Sequence, residues 1–386
     1  MKKVKSGWAL LAILLISTVL RPPVAQIGPI LNLIQKGLVL TDTQTALLAA
    51  IPVLCFGFGA FAAPALVRRF GLNRTLVSLL GVLMASIALR PYLGYFSLIV
   101  GTTLAGLSIA VANVLLPAVV RERFPGKVVP LTSAYTTVLA ASASFAAAFS
   151  FPTASSFGWQ VALELWALPA LLAFAFSFTL LSVESAGSSS QDSDHDGDFR
   201  LVAKSPIAWS IIGLFGIQSL GFYALLAWLP NLAIDSGINP SAAGSLLSLM
   251  TIVGVPVGLI LSANFGRFKS LAVVGALIST FTAFGLFLLW LHLWIPAVII
   301  IGIGQASSFP LSLSLISTRA ANQRLTTMLS SISQGVGYLL AAAGTFAFGW
   351  LAKATGNWQL SLIGLIALTF VQVFAAWFAG RPQQIK

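Results

Sequence analysis

The sequence predicts an all-α membrane protein with twelve transmembrane helices in two pseudo-symmetric six-helix bundles. Three observations lead to this prediction. Of the 386 residues, 58% are hydrophobic and only 8% are charged; apolar runs recur along the whole chain; and one long polar segment divides the chain near its middle. Soluble domains contain about 25% charged residues. Lipid is therefore the expected solvent for most of this chain.

The apolar runs have the length of membrane helices, because a hydrocarbon core of about 30 Å takes about 20 helical residues to cross. They lack the alternating polar pattern of a membrane barrel, and lipid offers unpaired backbone groups no partner, so helices are expected. We number the twelve runs as spans 1 to 12: 8–34, 43–67, 75–93, 96–120, 131–151, 161–183, 207–229, 242–263, 271–291, 294–316, 325–351 and 360–379.

The basic residues predict the orientation of these spans. With both termini in the cytoplasm, 17 of the 21 basic residues fall in inner loops and tails, and only Lys36, Arg90 and Lys353 fall outside. Such an inner excess predicts a multi-pass plasma membrane protein with both termini cytoplasmic. The net charge of +12 then indicates contact with anionic lipid, and no nucleic-acid partner is expected. Arg90, which precedes Pro91, is interpreted as an anchor at the outer interface.

The polar segment predicts the domain boundaries. Residues 184–205, rich in Ser, Gly and Asp, are expected to form a cytoplasmic linker between bundles 1–183 and 206–386. Asp192, Asp194 and Asp196 have the spacing that starts a calcium loop, but the glutamate of its twelfth position is missing, so a solvated linker is predicted. The single cysteine, Cys55, excludes an intrachain disulfide. Neither a metal nor a cofactor is expected, and a monomer is predicted.

The two halves repeat weakly. Thr41-Asp42 opens span 2 as Asn239-Pro240 opens span 8, both with residues that cap helix starts. Basic residues follow the matching spans, and Arg121 and Arg319 lie 198 residues apart. A repeat of this length in a twelve-span chain is typical of a duplicated six-helix bundle.

Arg21 is the most informative single residue. It lies inside span 1, which contains no acidic residue. A mid-membrane arginine costs about 2.5–3.5 kcal/mol on insertion scales and cannot lose its proton. The sequence therefore predicts an anion-binding group in a transport pathway. A purely structural role stays open, in which backbone carbonyls freed at Pro22-Pro23 or amides of a neighbouring helix satisfy the guanidinium.

Acidic groups are scarce within the predicted spans. Glu164 is the only carboxylate inside one, which makes it a possible proton site or a group that reaches the headgroups. The two histidines, His195 and His292, fall in the linker and near an outer boundary. Facilitated diffusion, anion exchange and coupling through the substrate's own proton therefore all stay open.

A familiar motif lies between spans 2 and 3. The pattern Gly-x-x-x-Asp-Arg-x-Gly-Arg-Arg of the major facilitator superfamily falls on residues 64–73, where Arg69 and Gly71 match and Arg68 replaces the aspartate. With the twelve spans and the long inner loop, the chain resembles this superfamily and is expected to have its fold. Five further stretches resemble the branch of cyanate and 2-nitroimidazole transporters: 20–22 with 28–29, 166–169, 223–230, 244–251 and 304–310.

The resemblance implies a transporter, not an enzyme, for a small anionic or flat polar solute. It also implies that spans 1, 4, 7 and 10 line a central cavity, with spans 2, 5, 8 and 11 beside it, between repeats that alternate in access. The polar and aromatic residues near mid-span on this template are the predicted substrate-binding residues: Arg21, Gln26, Asn113, Gln218, Tyr223, Trp228, Gln305, Phe309, Gln334 and Tyr338.

Alternatives to these roles stay open. The amides could be interhelical contacts, the aromatic rings could simply pack, and Trp228 could mark the outer interface. A rival function is proton-coupled export of small drug-like molecules such as nitroheterocycles. The superfamily's exporters carry a glycine- and proline-rich signature in span 5, but residues 135–151 contain no glycine. A membrane enzyme or sensor is disfavoured because no nucleophile with its base and no phosphate-binding loop occurs.

Overall fold

The computed structural model describes residues 2–181, 195–264 and 267–385. These residues form α-helices joined by short turns, with no strand among them. The helices are α1 Lys2–Val19, α2 Pro22–Ala25, α3 Ile27–Leu38, α4 Asp42–Phe70, α5 Leu72–Leu89, α6 Gly94–Arg123, α7 Val128–Phe157, α8 Trp159–Glu164, α9 Ala167–Leu181, α10 His195–Lys204, α11 Pro206–Asp235, α12 Pro240–Asn264, α13 Leu271–Trp290, α14 Trp294–Arg319, α15 Gln323–Thr355 and α16 Gln359–Ala379.

The predicted spans coincide with these helices. Within the described residues, eleven helical segments are long and apolar enough to cross a membrane, and the predicted span 8 falls on a shorter apolar stretch, Ala242–Gly258 of α12. The all-α membrane fold is confirmed, and the chain is an integral, multi-pass membrane protein. The Asp cluster of the predicted linker lies outside the residues whose side chains the structure describes.

Span 1 differs from the single long helix that the sequence predicted. It consists of α1, α2 and α3, with a break at Leu20 and Arg21. Pro22 and Pro23 explain the break, because proline has no amide hydrogen to donate and disfavours a helical conformation in the residue before it. Both prolines occupy the first turn of α2, where these properties do no harm.

The polar residues predicted to open spans 2 and 8 do cap helices. Thr41 Oγ1 accepts from the amide of Gln44 at 3.3 Å, and the Gln44 side chain returns a bond to the Thr41 amide, which completes a capping box at the start of α4. At the start of α12, Asn239 Oδ1 accepts from the amide of Ala242 at 2.8 Å. Each cap satisfies an amide that the first helical turn leaves unpaired.

The chain divides into two compact units. The N-unit comprises Met1–Gly126 and Tyr135–Asp196, and the C-unit comprises Lys127–Ala134 and Gly197–Lys386. The boundaries predicted at residues 183 and 205 stay a prediction, since the chain between α9 and α10 lies outside the described residues.

The helix pairing inside the N-unit recurs inside the C-unit. In the N-unit, α4 packs on α6, α5 packs on α6 and α9, and α1 packs on α9. In the C-unit, α12 packs on α14, α13 packs on α14 and α16, and α11 packs on α16. In terms of spans, the pairs 2·4, 3·4, 3·6 and 1·6 become 8·10, 9·10, 9·12 and 7·12. The weak repeat in the sequence therefore corresponds to a repeat in helix packing.

One arginine contact also recurs. Arg123 at the end of α6 donates from Nη2 to the carbonyl of Leu180 at 2.5 Å. Arg319 at the end of α14 donates from Nη2 to the carbonyl of Gly380 at 2.8 Å and from Nε to that of Ala379 at 3.2 Å. In each unit, an arginine thus satisfies carbonyls at the end of the unit's last helix, which have no partner within that helix. The residue that matches Arg319 in this contact is Arg123, two positions beyond Arg121.

Candidate functional site

The break in span 1 places Arg21 at the start of α2. Its carbonyl accepts from the amides of Val24 and Ala25 at 3.1 and 3.0 Å, so Arg21 begins the first turn of α2. The Arg21 side chain is partly exposed. The group predicted to bind an anion therefore lies at an interruption of the helix, with part of its side chain exposed.

Gln26, five residues later, is fully buried at the junction of α2 and α3. Its neighbours fix the orientation of its amide. With the oxygen facing Arg90, Gln26 Oε1 accepts from Arg90 Nη2 at 2.6 Å, and Nε2 donates to the carbonyl of Ala162 at 2.8 Å. The opposite orientation leaves only a 3.4 Å contact from Nε2 to the carbonyl of Leu163. The predicted contact of Gln26 with substrate stays a prediction.

Arg90 does not lie at the surface, so its interpretation as an interface anchor was wrong. Its side chain is 1% exposed, which makes it one of the largest fully buried side chains described. In addition to its bond with Gln26, its Nη1 donates to the carbonyl of Pro23 at 3.1 Å. A guanidinium can be buried here because the broken segment of span 1 offers it a backbone oxygen and an amide oxygen.

Asn113 lies buried in α6, on the stretch Ser108 to Val120 in which every residue is buried. This long buried face is consistent with the position of span 4 as an inner helix of its unit. Substrate contact by Asn113 stays a prediction.

The two buried glutamines predicted in spans 7 and 10 contact each other. Gln218 on α11 donates from Nε2 to Gln305 Oε1 on α14 at 3.2 Å, and Ser219 donates to Gln218 Oε1 at 3.3 Å. They are 3% and 6% exposed. In the C-unit, the alternative that these amides connect two helices is therefore realised, while a role toward substrate stays a prediction.

Three of the predicted aromatic residues belong to one cluster in the C-unit. The Phe215 ring contacts two of them, with its centroid 6.0 Å from that of Phe309 and 5.3 Å from that of Tyr338. Tyr338 in turn lies 6.2 Å from Tyr223 in an edge-to-face arrangement. We call Phe215, Tyr223, Phe309 and Tyr338 the aromatic cluster. Rings at these angles and distances attract one another. Phe215 and Tyr338 are buried, whereas Tyr223 and Phe309 are partly exposed.

The other two predicted residues of the C-unit have partners inside it. Trp228 donates from its indole nitrogen to the carbonyl of Thr345 at 2.9 Å and lies 5.8 Å from the Trp358 ring. Gln334 donates from Nε2 to Ser330 Oγ at 2.8 Å, within α15. These contacts show how the two side chains pack, and they leave untested whether either meets a substrate.

Glu164, the possible proton site, ends α8 and accepts a hydrogen bond from the Tyr92 hydroxyl. Tyr92 is 57% exposed in the turn between α5 and α6, so the pair lies at the surface of the unit. The role of Glu164 as a proton site stays a prediction. Helix α6 extends beyond the predicted span 4 to Arg123 and includes a further carboxylate, Glu122. One carboxylate oxygen of Glu122 is buried without a hydrogen-bond partner among the described residues.

Sequence reasoning missed two residues that the structure places beside predicted ones. Phe215 is fully buried and contacts Phe309 and Tyr338 of the aromatic cluster, and Arg90 binds the segment after Arg21. Phe215 carried no signal, since phenylalanine is common in apolar runs. For Arg90 a signal existed, because an arginine at the end of a span can turn inward as readily as outward when a helix break nearby offers acceptors.

The fold and these polar positions define a class of protein. The Major Facilitator Superfamily matches residues 8–337, and the chain belongs to that family of membrane transporters; it is not an enzyme. Its relatives narrow the class. The chain is 34% identical to the 2-nitroimidazole transporter of Escherichia coli (strain K12), covering 97% of this chain and 95% of that one. It is 27% identical to the cyanate transport protein CynX of the same organism, with 93% and 96% covered.

A solved structure supports the fold alone. The chain aligns with the proton:xylose symporter XylE, bound to 6-bromo-6-deoxy-D-glucose, with a TM-score of 0.81 at 12% identity, covering 98% of this chain and 96% of XylE. At this identity the two proteins share an architecture, and the site must be argued from this chain's own residues.

Proposed function

We propose that this protein carries a small anionic or flat polar solute across the membrane by alternating access, with Arg21 as its anion-binding group. The observation that carries the proposal is the break in span 1, which leaves Arg21 partly exposed within an otherwise apolar span. A guanidinium keeps its charge in any surroundings and can grip a planar anion with two parallel N–H groups. We also infer cytoplasmic termini and a monomeric carrier.

The relatives support a small solute. One is named for 2-nitroimidazole and another for cyanate, and both of these molecules are small and planar or linear. A positive group and aromatic rings are the side chains that would recognise such molecules. The N-unit carries the former in Arg21, and the C-unit carries the latter in its aromatic cluster.

The proposal is tested by binding and uptake with purified protein. A ligand that binds the folded state stabilises it by mass action and so raises the melting temperature. At a ligand concentration of a hundred times Kd, the free energy of unfolding increases by about 2.7 kcal/mol. We expect cyanate to raise the melting temperature of the wild-type protein and to enter proteoliposomes that contain it. Arg21→Gln should abolish both effects, and Arg21→Lys should do so nearly as well, because an ammonium has no planar two-pronged grip.

The matched control is Arg381→Gln, which removes the same charge from the exposed C-terminal tail. It should bind and transport cyanate as the wild type does. Retention of cyanate binding by Arg21→Gln would contradict the proposed role of Arg21 and leave that residue a structural one.

A second candidate is the export of flat nitroheterocycles coupled to protons. The name of the 34% identical relative and the aromatic cluster favour it. If 2-nitroimidazole stabilises the protein while cyanate, formate and benzoate do not, this candidate replaces the anion carrier.

A further inference from the structure

We infer that Arg90 is a positioning residue for Arg21: it fixes the broken segment of span 1 and keeps a second positive charge beside it. The inference rests on the proposed function, because it concerns how the anion-binding group is held. It assigns a role in substrate affinity to a residue that is not among the predicted substrate-binding residues and is hydrogen-bonded to one of them, Gln26.

The contacts of Arg90 converge on the break. Its two terminal nitrogens donate to the carbonyl of Pro23 at 3.1 Å and to the amide oxygen of Gln26 at 2.6 Å. These acceptors lie two and five residues after Arg21. Gln26 in turn donates to the carbonyl of Ala162 on α8 at 2.8 Å. One guanidinium therefore ties α2 and the start of α3 to the end of α5, and through Gln26 to α8.

The surroundings hold Arg90 in place. Gly101 of α6 packs directly on it: a Cβ added at Gly101 would collide with the Cβ of Arg90 and lie 3.1 Å from its Cα. Glycine at this position lets α6 approach the end of α5 closely enough to bury the arginine. The position of Arg90 is thus set by two helices that are not part of span 1.

The charge of Arg90 has no counter-ion in the part of the chain that the structure describes. Its hydrogen-bond partners there are neutral oxygens, and its Nε is buried without an acceptor. An uncompensated buried charge lowers the stability of the folded protein. Ionisable residues within a membrane protein are therefore rare and usually serve a function. Arg90 binds the segment that follows Arg21, and because little water screens its charge, it would raise the potential that an anion meets there.

A purely structural arginine would behave differently. It would lower stability when replaced, with no effect on the affinity of the protein that remains folded. A positioning residue instead changes Kd and KM when it is replaced. Comparing the size of this change between variants separates the effect of its charge from that of its geometry. Three variants of this one contact make that separation.

The experiment measures the Kd of cyanate for monodisperse, folded protein and the KM of cyanate uptake into proteoliposomes. Arg90→Gln removes both the charge and the planar guanidinium, and Arg90→Lys keeps only the charge. Gly101→Ala keeps Arg90 but displaces it. We expect Kd and KM to rise at least ten-fold in Arg90→Gln, and by a smaller factor in the other two. The maximal rate should change less than KM.

The matched control is Arg123→Gln. Arg123 belongs to the same unit, donates to a backbone carbonyl, and has a buried Nε without a partner among the described residues. This variant should lower the melting temperature and leave the Kd of cyanate unchanged, which calibrates the effect of losing a structural guanidinium.

The outcomes separate this inference from the proposed function. If Arg21→Gln binds cyanate normally, or the wild type does not bind it at all, the proposed function fails and the inference fails with it. If Arg21→Gln loses binding while the Arg90 and Gly101 variants keep the wild-type Kd, only the role of Arg90 is overturned. Should Arg90→Gln not fold, weakened binding in Arg90→Lys and Gly101→Ala supports the inference, and unchanged binding refutes it.

Discussion

Span 1 of the N-unit and span 7 of the C-unit occupy the same place in the repeat, yet they treat their polar group differently. Span 7 is one continuous helix, α11, and its Gln218 is buried in a bond with Gln305. Span 1 breaks at Arg21, and the segment after the break is bound by the buried Arg90. The predicted polar group of span 7 is thus a neutral amide, Gln218, and that of span 1 is a cation, Arg21.

The difference follows from what each group requires. A buried amide can be satisfied by one side chain on a neighbouring helix, so the backbone of α11 need not change. A guanidinium has five donors and a charge that it cannot lose. It requires several oxygens, and the backbone is their nearest source in a span without carboxylates. The proline pair after Arg21 frees the backbone there, at the expense of helix continuity.

This comparison also separates two tasks of recognition. The N-unit supplies positive charge, which would select for an anion. The C-unit supplies an amide pair and the aromatic cluster, which would select for shape and flatness. The four predictions below test the polar and aromatic groups of the two units.

The largest effect is expected from a cation introduced into span 7. Gln218→Arg buries a guanidinium in a continuous helix, where Gln305 offers one oxygen. An uncompensated buried charge of this kind costs about 3–5 kcal/mol. We expect a large loss of stability in detergent and poor expression, whereas Gln218→Leu should fold. A Gln218→Arg protein with wild-type stability would show that α11 accepts a cation as readily as span 1 does.

The next effect concerns the amide pair itself. Gln305→Leu removes the acceptor of Gln218 Nε2 and leaves a buried donor unpaired, which costs about 1–3 kcal/mol. The double variant Gln218→Leu with Gln305→Leu should recover part of that loss, because the unpaired amide is removed and only the Ser219 hydroxyl then loses its acceptor. Denaturant unfolding of the four proteins gives the coupling energy. Additive losses would mean that the two glutamines do not depend on each other.

The membrane fold could be predicted from the sequence because its causes are local. Runs of apolar residues determine the spans. The two prolines determine the break at Leu20 and Arg21. Thr41 and Asn239 cap helix starts, as their side chains predict. The helix pairing that recurs in the two units agrees with the weak repeat in the sequence. Boundaries were less certain, and α6 extends beyond the predicted span far enough to include Glu122.

The partners of buried polar groups could not be predicted, because they are distant in the chain. Arg90 and Pro23 are 67 residues apart, and Gln218 and Gln305 are 87 apart. A local pattern shows an arginine at the end of an apolar run in either case, whether the side chain turns to the headgroups or into the bundle. Only the packing of α5 against α6 and the break in span 1 decides between the two for Arg90.

A smaller effect should separate shape from charge. Phe309→Leu removes a partly exposed ring of the aromatic cluster. An aromatic pair contributes about 0.5–1.5 kcal/mol beyond buried area, so KM for 2-nitroimidazole should rise roughly two- to twelve-fold by the same principle. KM for cyanate should hardly change. Phe346→Leu, at a ring that is 72% exposed, is the control. Equal effects on both solutes would show that the cluster does not read shape.

The smallest effect is expected at Glu164, which lies in neither span 1 nor span 7. Its hydrogen bond raises the pKa of Tyr92 above the ordinary value, with burial and the carboxylate charge acting in the same direction. A raised pKa means that this bond stabilises the folded protein fully below pH of about 10 and that its contribution is lost as the pH rises through the raised pKa.

Glu164→Gln should therefore lower the pKa of Tyr92, which can be read from the tyrosinate absorbance as the difference between the protein with Tyr92 and its Tyr92→Phe variant. Around neutral pH the Tyr92 hydroxyl is protonated with or without Glu164, so we expect the pH profile of uptake to be the same in Glu164→Gln as in the wild type. A displaced uptake profile would make Glu164 a proton site. Transport would then depend on an acid in span 6 as well as on Arg21 in span 1. The contrast between spans 1 and 7 would no longer suffice to explain transport.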